Sequence, residues 1–381
     1  MFDYLTPVST SFIDEIQLRN PHGLAKQVAF VSHENADELE NAEIVIIGIN
    51  ETRLSTQESY HNVDLSAIRK ELYALQQGNW HQKIADIGTI ERGREIPDTY
   101  FAVQEVVGEL LRKNKTVLIL GGSQDLTYAV YKAYQEHQNT VNICAIDRKF
   151  DLGLYDNALT SASYLNHIIT DEPRKLFNFY NIGHQSYYIS QEELDLVTQM
   201  NFEYIRLGEV SDKNTEAEPY LRDSDLVTVD LSAIRYAESP AHSMVSPNGL
   251  TGKEICTLAR YAGLSNKMRT FGVYEYNADF EIRNQSAQLI AQMLWYCIEG
   301  INLRMEEKDF SASYFQKYIV PSDAEEYIFY KSLKTERWWM ELSFEKNGNQ
   351  KVQIPCTEDD YLKTVEGEIT DRWWKNYKKY L

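Results

Sequence analysis

Short apolar runs rich in β-branched residues recur through the middle of this chain, and their rhythm constrains the fold more than any other feature. They stand at residues 43–49, 116–120, 141–146, 179–182, 204–207, 226–231 and 271–275. Runs of this length with little polar alternation suit strands buried on both faces. Helical patterns lie between them. The clearest runs from Pro97 to Lys113, where Tyr100, Phe101, Val103, Val106, Val107, Leu110 and Leu111 recur at three- and four-residue spacing behind a proline suited to a first helical turn. Two more carry Ile255, Leu258 and Ala259 on residues 252–261, and Leu289, Ile290, Met293, Leu294 and Cys297 on residues 284–298. Buried strands alternating with helices predict a mainly parallel sheet in an α/β layer fold. In such folds chemistry collects in loops at the carboxyl ends of the strands.

With 381 residues the chain has length for one large or two modest domains. Its formal charge of −19 repels phosphate backbones and anionic lipid, and no basic patch offsets it, so no nucleic acid partner is expected. No apolar stretch is long enough to span a bilayer and the start lacks a leader pattern. A cytoplasmic protein without membrane insertion is expected. Cys144, Cys256, Cys297 and Cys356 form no C-x-x-C pair, and three of them sit in apolar runs, as packed reduced thiols do.

From about Asn302 the texture turns charged and aromatic, with a break at Pro321-Ser322-Asp323 and turn signals at Lys346-Asn347-Gly348-Asn349. Four of the six tryptophans fall here, in Arg337-Trp338-Trp339 and Arg372-Trp373-Trp374. The favoured reading is an appendage that docks these aromatics on the main domain, since each buried ring removes a large apolar area from water. The sharper reading is a surface for a protein partner or for self-association through Trp338, Trp339, Trp373 and Trp374.

The segments after the strands are unusual. Leu120 is followed by Gly121-Gly122-Ser123-Gln124, a tight turn whose backbone N–H groups suit a small anionic ligand. Ile146 leads into Asp147-Arg148-Lys149-Phe150-Asp151, Val229 into Asp230-Leu231-Ser232, and Tyr274 into Glu275. One acid at a strand end is usually a cap; several converging on one edge favour a site. His184, in Gly183-His184-Gln185, reads as a hydrogen-bonded structural residue rather than a ligand.

In this order these loops resemble the arginase/agmatinase/formimidoylglutamase superfamily. Gly121-Gly122-Ser123-Gln124 is similar to its G-G-D-H, Asp147 to Asp151 to its D-A-H-x-D, and Asp230-Leu231-Ser232 to its D-x-D. Ser246 to Thr251 is similar to P-x-x-G-G-L-T, and Phe271 to Asn277 to the closing strand with its glutamate. Ser66-Ala67-Ile68-Arg69 and Asp86-Ile87-Gly88 fall where that family has A-I-R and D-x-G. Ser161-Ala162-Ser163-Tyr164 places the resemblance nearest to the formimidoylglutamase branch. The resemblance implies an α/β three-layer sandwich with a mainly parallel central sheet over residues 42–301, preceded by an N-terminal segment (1–41) and followed by the C-terminal aromatic-rich appendage (302–381).

It also implies a binuclear manganese centre on two histidines and four aspartates, and here this sequence departs from the pattern. The six positions carry over to Gln124, Asp147, Lys149, Asp151, Asp230 and Ser232. None of the eight histidines (His22, His33, His61, His81, His137, His167, His184, His242) stands at a matching position. A protonated lysine has three donors and no acceptor, and neighbouring carboxylates favour its charged form. Lys149 is therefore expected to replace the metal as an internal cation bridging Asp147, Asp151 and Asp230, with Gln124 and Ser232 completing hydrogen bonds. No metal or other cofactor is expected, with Asp147, Asp151 and Asp230 as the residual metal candidates. The expected function is a non-hydrolytic pseudoenzyme acting as a binding, scaffolding or regulatory subunit. The alternative is a formimidoylglutamase-type hydrolase of linear amidine C–N bonds, keeping Mn²⁺ on a reduced site. Glu275 is a substrate-side candidate, or equally an ion-pair partner for Arg148 or Arg283.

Overall fold

Each apolar run folds as a strand, and alternate residues of each strand feed different cores. The computed structural model describes residues 1–59, 63–154, 158–307, 309–322, 326–344 and 350–380. His61, Asp323 of the expected break and the expected turn at Lys346 to Asn349 lie outside them. Nine strands form the main sheet: β1 (Val28–Phe30), β2 (Ile44–Asn50), β3 (Ile84–Glu91), β4 (Thr116–Leu120), β5 (Val141–Ile146), β6 (Leu176–His184), β7 (Glu203–Arg206), β8 (Leu226–Asp230) and β9 (Thr270–Tyr274). They are ordered β1-β3-β2-β4-β9-β8-β5-β6-β7, and every pairing is parallel.

On β2, Ile44 and Ile46 join one core and Val45, Ile47 and Ile49 the other; on β4, Leu118 and Leu120 oppose Val117 and Ile119. The first core is closed by the helices Leu65–Ala74, Gly252–Leu264 and Gln285–Asn302. The second is closed by Ile96–Arg112 and Leu126–Gln135. This is the expected three-layer α/β arrangement. Strands β1 and β3 were not anticipated: β1 is only three residues long, and β3 carries Asp86 in its middle. Asp86 is tolerated there because Arg69 meets it with two hydrogen bonds, Nε at 2.7 Å and Nη2 at 3.1 Å, and Tyr73 donates a third. The A-I-R and D-x-G segments thus meet in a buried ion pair between helix and sheet.

The appendage is a second, antiparallel sheet of β10 (Phe315–Pro321), β11 (Glu326–Ser332), β12 (Trp338–Phe344) and β13 (Gln350–Cys356), followed by the helices Glu358–Val365 and Asp371–Tyr380. Because neighbours on a strand face opposite ways, Trp338 and Trp339 enter different clusters. Trp338 stacks on Tyr361, with ring centroids 4.9 Å apart, while Trp339 lies 4.2 Å from the buried Arg222 guanidinium of the main domain. Trp373 stacks on Tyr377. Only Trp374, at 43% exposure, faces solvent. Three of the four tryptophans offered as a partner surface are therefore spent inside the chain, as the docking reading expects.

The appendage grips the amino-terminal ends of the strands. Asn376 donates to Glu203 at the start of β7, Lys379 to Asn178 near the start of β6, and Arg222, just ahead of β8, donates to the carbonyls of Trp338 and Cys356. All four cysteines are buried and unpaired with one another. Among the described residues no helix is long and apolar enough to cross a membrane.

Candidate functional site

The other end of the sheet is where the acids collect. Four adjacent strands, β4, β9, β8 and β5, deliver Gln124, Glu275, Asp230 and the segment Asp147 to Asp151 from their carboxyl ends. Gly121 and Gly122 make the turn after β4 possible, since both have left-handed φ, near +78° and +77°. The N–H groups of that turn are not free for an anion: Gly121 donates to Val273, Ser123 to Glu51 and Gln124 to the Glu275 carboxylate at 2.8 Å. The anion site expected there is thus filled by the chain's own acceptors.

Asp147, Asp151 and Asp230 are all buried, and one oxygen of each lies within 4.8 Å of the others. Local turns hold them. Asp147 Oδ1 accepts from the Lys149 N–H at 2.9 Å, and Asp230 Oδ1 from the Ser232 N–H at 2.6 Å, each capping its own strand end. Asp151 and Glu275 both sit at left-handed φ, +54° and +65°, which non-glycine residues adopt at a cost of about 1–3 kcal/mol each. Burial, followed by the charges of Asp151 and Asp230, drives the Asp147 carboxyl well above its ordinary range. Burial likewise lifts Asp151 to about 7, with Asp230 adding to it and Lys149 tempering it. Glu275 is raised to about 8 by burial and by Asp230, against the hydrogen bonds it accepts from Gln57 and Gln124. The Ser55 hydroxyl donates to it as well, at 2.7 Å.

Lys149 does not form the expected bridge. Among the described residues no carboxylate lies within 4.0 Å of its ammonium, which instead stands 5.9 Å from the Tyr188 ring. A strand end aims successive side chains in different directions, and the Lys149 backbone, not its side chain, satisfies Asp147. Arg148 lies under the same ring at 4.7 Å and donates to the Met244 carbonyl at 2.7 Å. Neither Arg148 nor Arg283 pairs with Glu275. Gln124 is pinned by Thr228 at 2.8 Å, and Ser232 lines the cleft. His184 packs between Phe150 and Tyr204 and stays outside the cleft, as the structural reading has it.

His242, Ser55, Gln57 and Thr56 belong to this neighbourhood and escaped sequence reasoning, because loops far apart in the chain bring them in, while Ser161, from the segment that placed the resemblance, lines the cleft as well. His242 Nδ1 accepts from the Met244 N–H at 2.9 Å, which leaves Nε2 as the N–H, 3.9 Å from Asp230 Oδ1. Burial lowers its pKa to about 4, so it is a neutral donor. The stretch Ser246 to Thr251 acts structurally: Thr251 and Glu254 make a reciprocal cap on the helix Gly252–Leu264. The cleft itself is narrow, with a cavity volume of ≈ 20 Å³, room for about one ordered water.

As a donor set the three aspartates fit a hard cation. Asp147, Asp151 and Asp230 supply three carboxylates, and Asp147 Oδ2 has no hydrogen-bond donor. A second ion would need ligands from Gln124, Lys149 and Ser232: Gln124 has its Nε2 held by Thr228 and its Oε1 buried without a partner, while Lys149 brings an ammonium.

A sequence model described as the arginase family matches residues 39–299. Formimidoylglutamase of Staphylococcus epidermidis is 22% identical over 243 residues, covering 61% of this chain and 77% of that protein. Formimidoylglutamase of Vibrio parahaemolyticus is 23% identical over 301 residues, covering 70% and 86%. Among solved structures, Trypanosoma cruzi formiminoglutamase with Mn²⁺ superposes with a TM-score of 0.64 at 18% identity over 71% of this chain and 97% of that one. Bacillus subtilis formimidoylglutamase gives 0.62 at 18% over 69% and 88%. These structural likenesses carry the fold, and β2 to β9 with the site loops lie within the residues that the family model matches.

Proposed function

Since this chain belongs to the arginase family, we propose that it is a formimidoylglutamase-like member that has given up two-manganese hydrolysis and serves as a binding, scaffolding or regulatory subunit. The observation that supports this is Lys149: a side chain with no lone pair to offer stands at a ligand position, turned toward Tyr188. Attack on an amidine carbon needs hydroxide near neutral pH, which a bound metal supplies by lowering the pKa of water from about 15.7 to about 7. Arg148, Lys149 and His242 offer only hydrogen-bond donors for that task. A basic protein partner suits the charge of −19, which speeds encounter more than it tightens contact. Self-association and a cytoplasmic setting belong to the same proposal, the latter supported by four buried free thiols.

A second reading, a hydrolase working with a single ion, is favoured by the three buried carboxylates. In it Asp147, Asp151 and Asp230 would hold the ion. One experiment separates the two: manganese content after loading and desalting, together with release of formamide from formimidoylglutamate. The proposal expects at most about one ion per chain and no release. About one ion with release establishes the second reading, and about two ions with release overturns the donor-set argument altogether.

A further inference from the structure

The antiparallel sheet of the appendage has an open edge. Strand β10 pairs with β11 on one side, and among the described residues its other side meets no strand. The ladder shows which backbone groups this leaves unused. Leu333 N–H donates to the Tyr314 carbonyl at 2.9 Å, whereas Ser332 N–H turns away from β10 to the Arg337 carbonyl at 2.8 Å. Successive residues of an antiparallel strand bond to opposite sides. Gln316, Tyr318 and Val320 therefore spend their N–H and C=O groups on β11, while Lys317, Ile319 and Pro321 direct theirs outward. Phe315 keeps the same alternation, its N–H leaving the ladder for the Ser311 carbonyl at 2.8 Å. Among the described residues Lys317 and Ile319 have no backbone partner outside the ladder, and both are exposed, Ile319 by 52%.

We propose that β10 is the surface through which this protein self-associates, pairing antiparallel with β10 of a second copy about a two-fold axis beside Tyr318. A two-fold contact between identical edges is antiparallel and self-complementary, and this strand suits one register. With Tyr318 opposite the partner's Tyr318, Lys317 exchanges both backbone bonds with the partner's Ile319, and Ile319 does so with the partner's Lys317. All the outward groups of these two residues are then met. Moving the axis to Lys317 sets that lysine against the partner's Lys317, and moving it to Ile319 spends pairing on Pro321, which has no N–H. Ile319 becomes covered beside Ile328, its neighbour on β11. The strand holds one lysine and no acid, a local exception to the charge of −19. Lysine and proline guard an edge against indiscriminate pairing, and here they leave a single register open. The inference gives the self-association of the proposed function its surface and rests on that part of the reading alone.

The test is sedimentation equilibrium of the full chain over about a hundredfold range of concentration, at low and high salt. A reversible dimer is expected, tightened by salt because screening relieves the repulsion between two acidic chains. Ile319→Pro removes an outward N–H that β11 does not use, so the urea midpoint is expected to stay in place while dimerisation weakens at least about tenfold, the effect of losing one hydrogen bond from each copy. Register is read separately. Lys317→Cys mixed with Ile319→Cys is expected to form a disulfide-linked pair faster than either variant does by itself, since the two positions face each other across the seam. Both positions are exposed, so this result decides even where Ile319→Pro costs stability. A monomer at every concentration, a dimer untouched by Ile319→Pro, or equal cross-linking in mixed and single samples overturns the inference. Manganese content and formamide release do not depend on β10, so failure here is told apart from failure of the non-hydrolytic reading.

Discussion

Asp151 and Glu275 show how an acidic centre weighs on its own fold. Their carboxyls titrate near about 7 and about 8 in the native chain, against about 4 when unfolded. Over that interval the native state keeps protons that the unfolded chain has released, so stability is full at low pH and falls as pH rises through the native values. Chelator-treated protein is therefore expected to lose a few kcal/mol between about pH 5 and pH 9, read from urea midpoints at constant m-value. A flat or rising profile would show that the carboxylates are already neutralised by something bound. The left-handed backbone at Asp151 and Glu275 adds to the same burden.

At the scale of elements, the seam between β12–β13 and the main domain turns on Arg222. Its guanidinium is buried beneath Trp339, ion-paired with Glu218 at 3.2 Å, and donates to two carbonyls of the appendage. Arg337 reaches Glu218 from the other side at 3.1 Å, and Arg372 lies over Tyr220. Arg222→Ala leaves Glu218 to Arg337 alone, removes the donor to the Trp338 and Cys356 carbonyls and uncovers Trp339, and is expected to cost about 3 kcal/mol. The accompanying sign is faster proteolysis between the helix Gln285–Asn302 and β10. Unchanged midpoint and unchanged cleavage would mean that apolar contacts alone hold the appendage.

Across the whole molecule the appendage and the three-layer domain have separate hydrophobic clusters but share buried charged contacts. Such contacts are costly to open one side at a time, so unfolding is expected as a single calorimetric transition, with calorimetric and van't Hoff enthalpies in agreement. Two resolved transitions would show the appendage to be an independent unit. The appendage also sits at the opposite end of the strands from the acidic cleft, so its side chains stand away from the site.

The chain's own order of residues determined the α/β layers, since runs such as residues 44–49 and 116–120 carry their two-sided burial in their composition. It also determined which strand ends bear acids, because Asp147, Asp230 and Glu275 directly follow or close those runs. Short β1, polar β3 and the appendage strands were hidden, as their stability comes from partners: Asp86 is acceptable in a strand only once Arg69 and Tyr73 are beside it. Where side chains point was likewise a tertiary decision. Lys149 follows a buried strand toward three acids in the sequence, yet its direction is set by the turn at Asp147 and by Tyr188, some forty residues away along the chain. His242 and Thr56 entered the cleft because loops from other strands end at the same edge. Spacing along a chain records what a strand buries, whereas the meeting of distant loops depends on how the strands are ordered in the sheet.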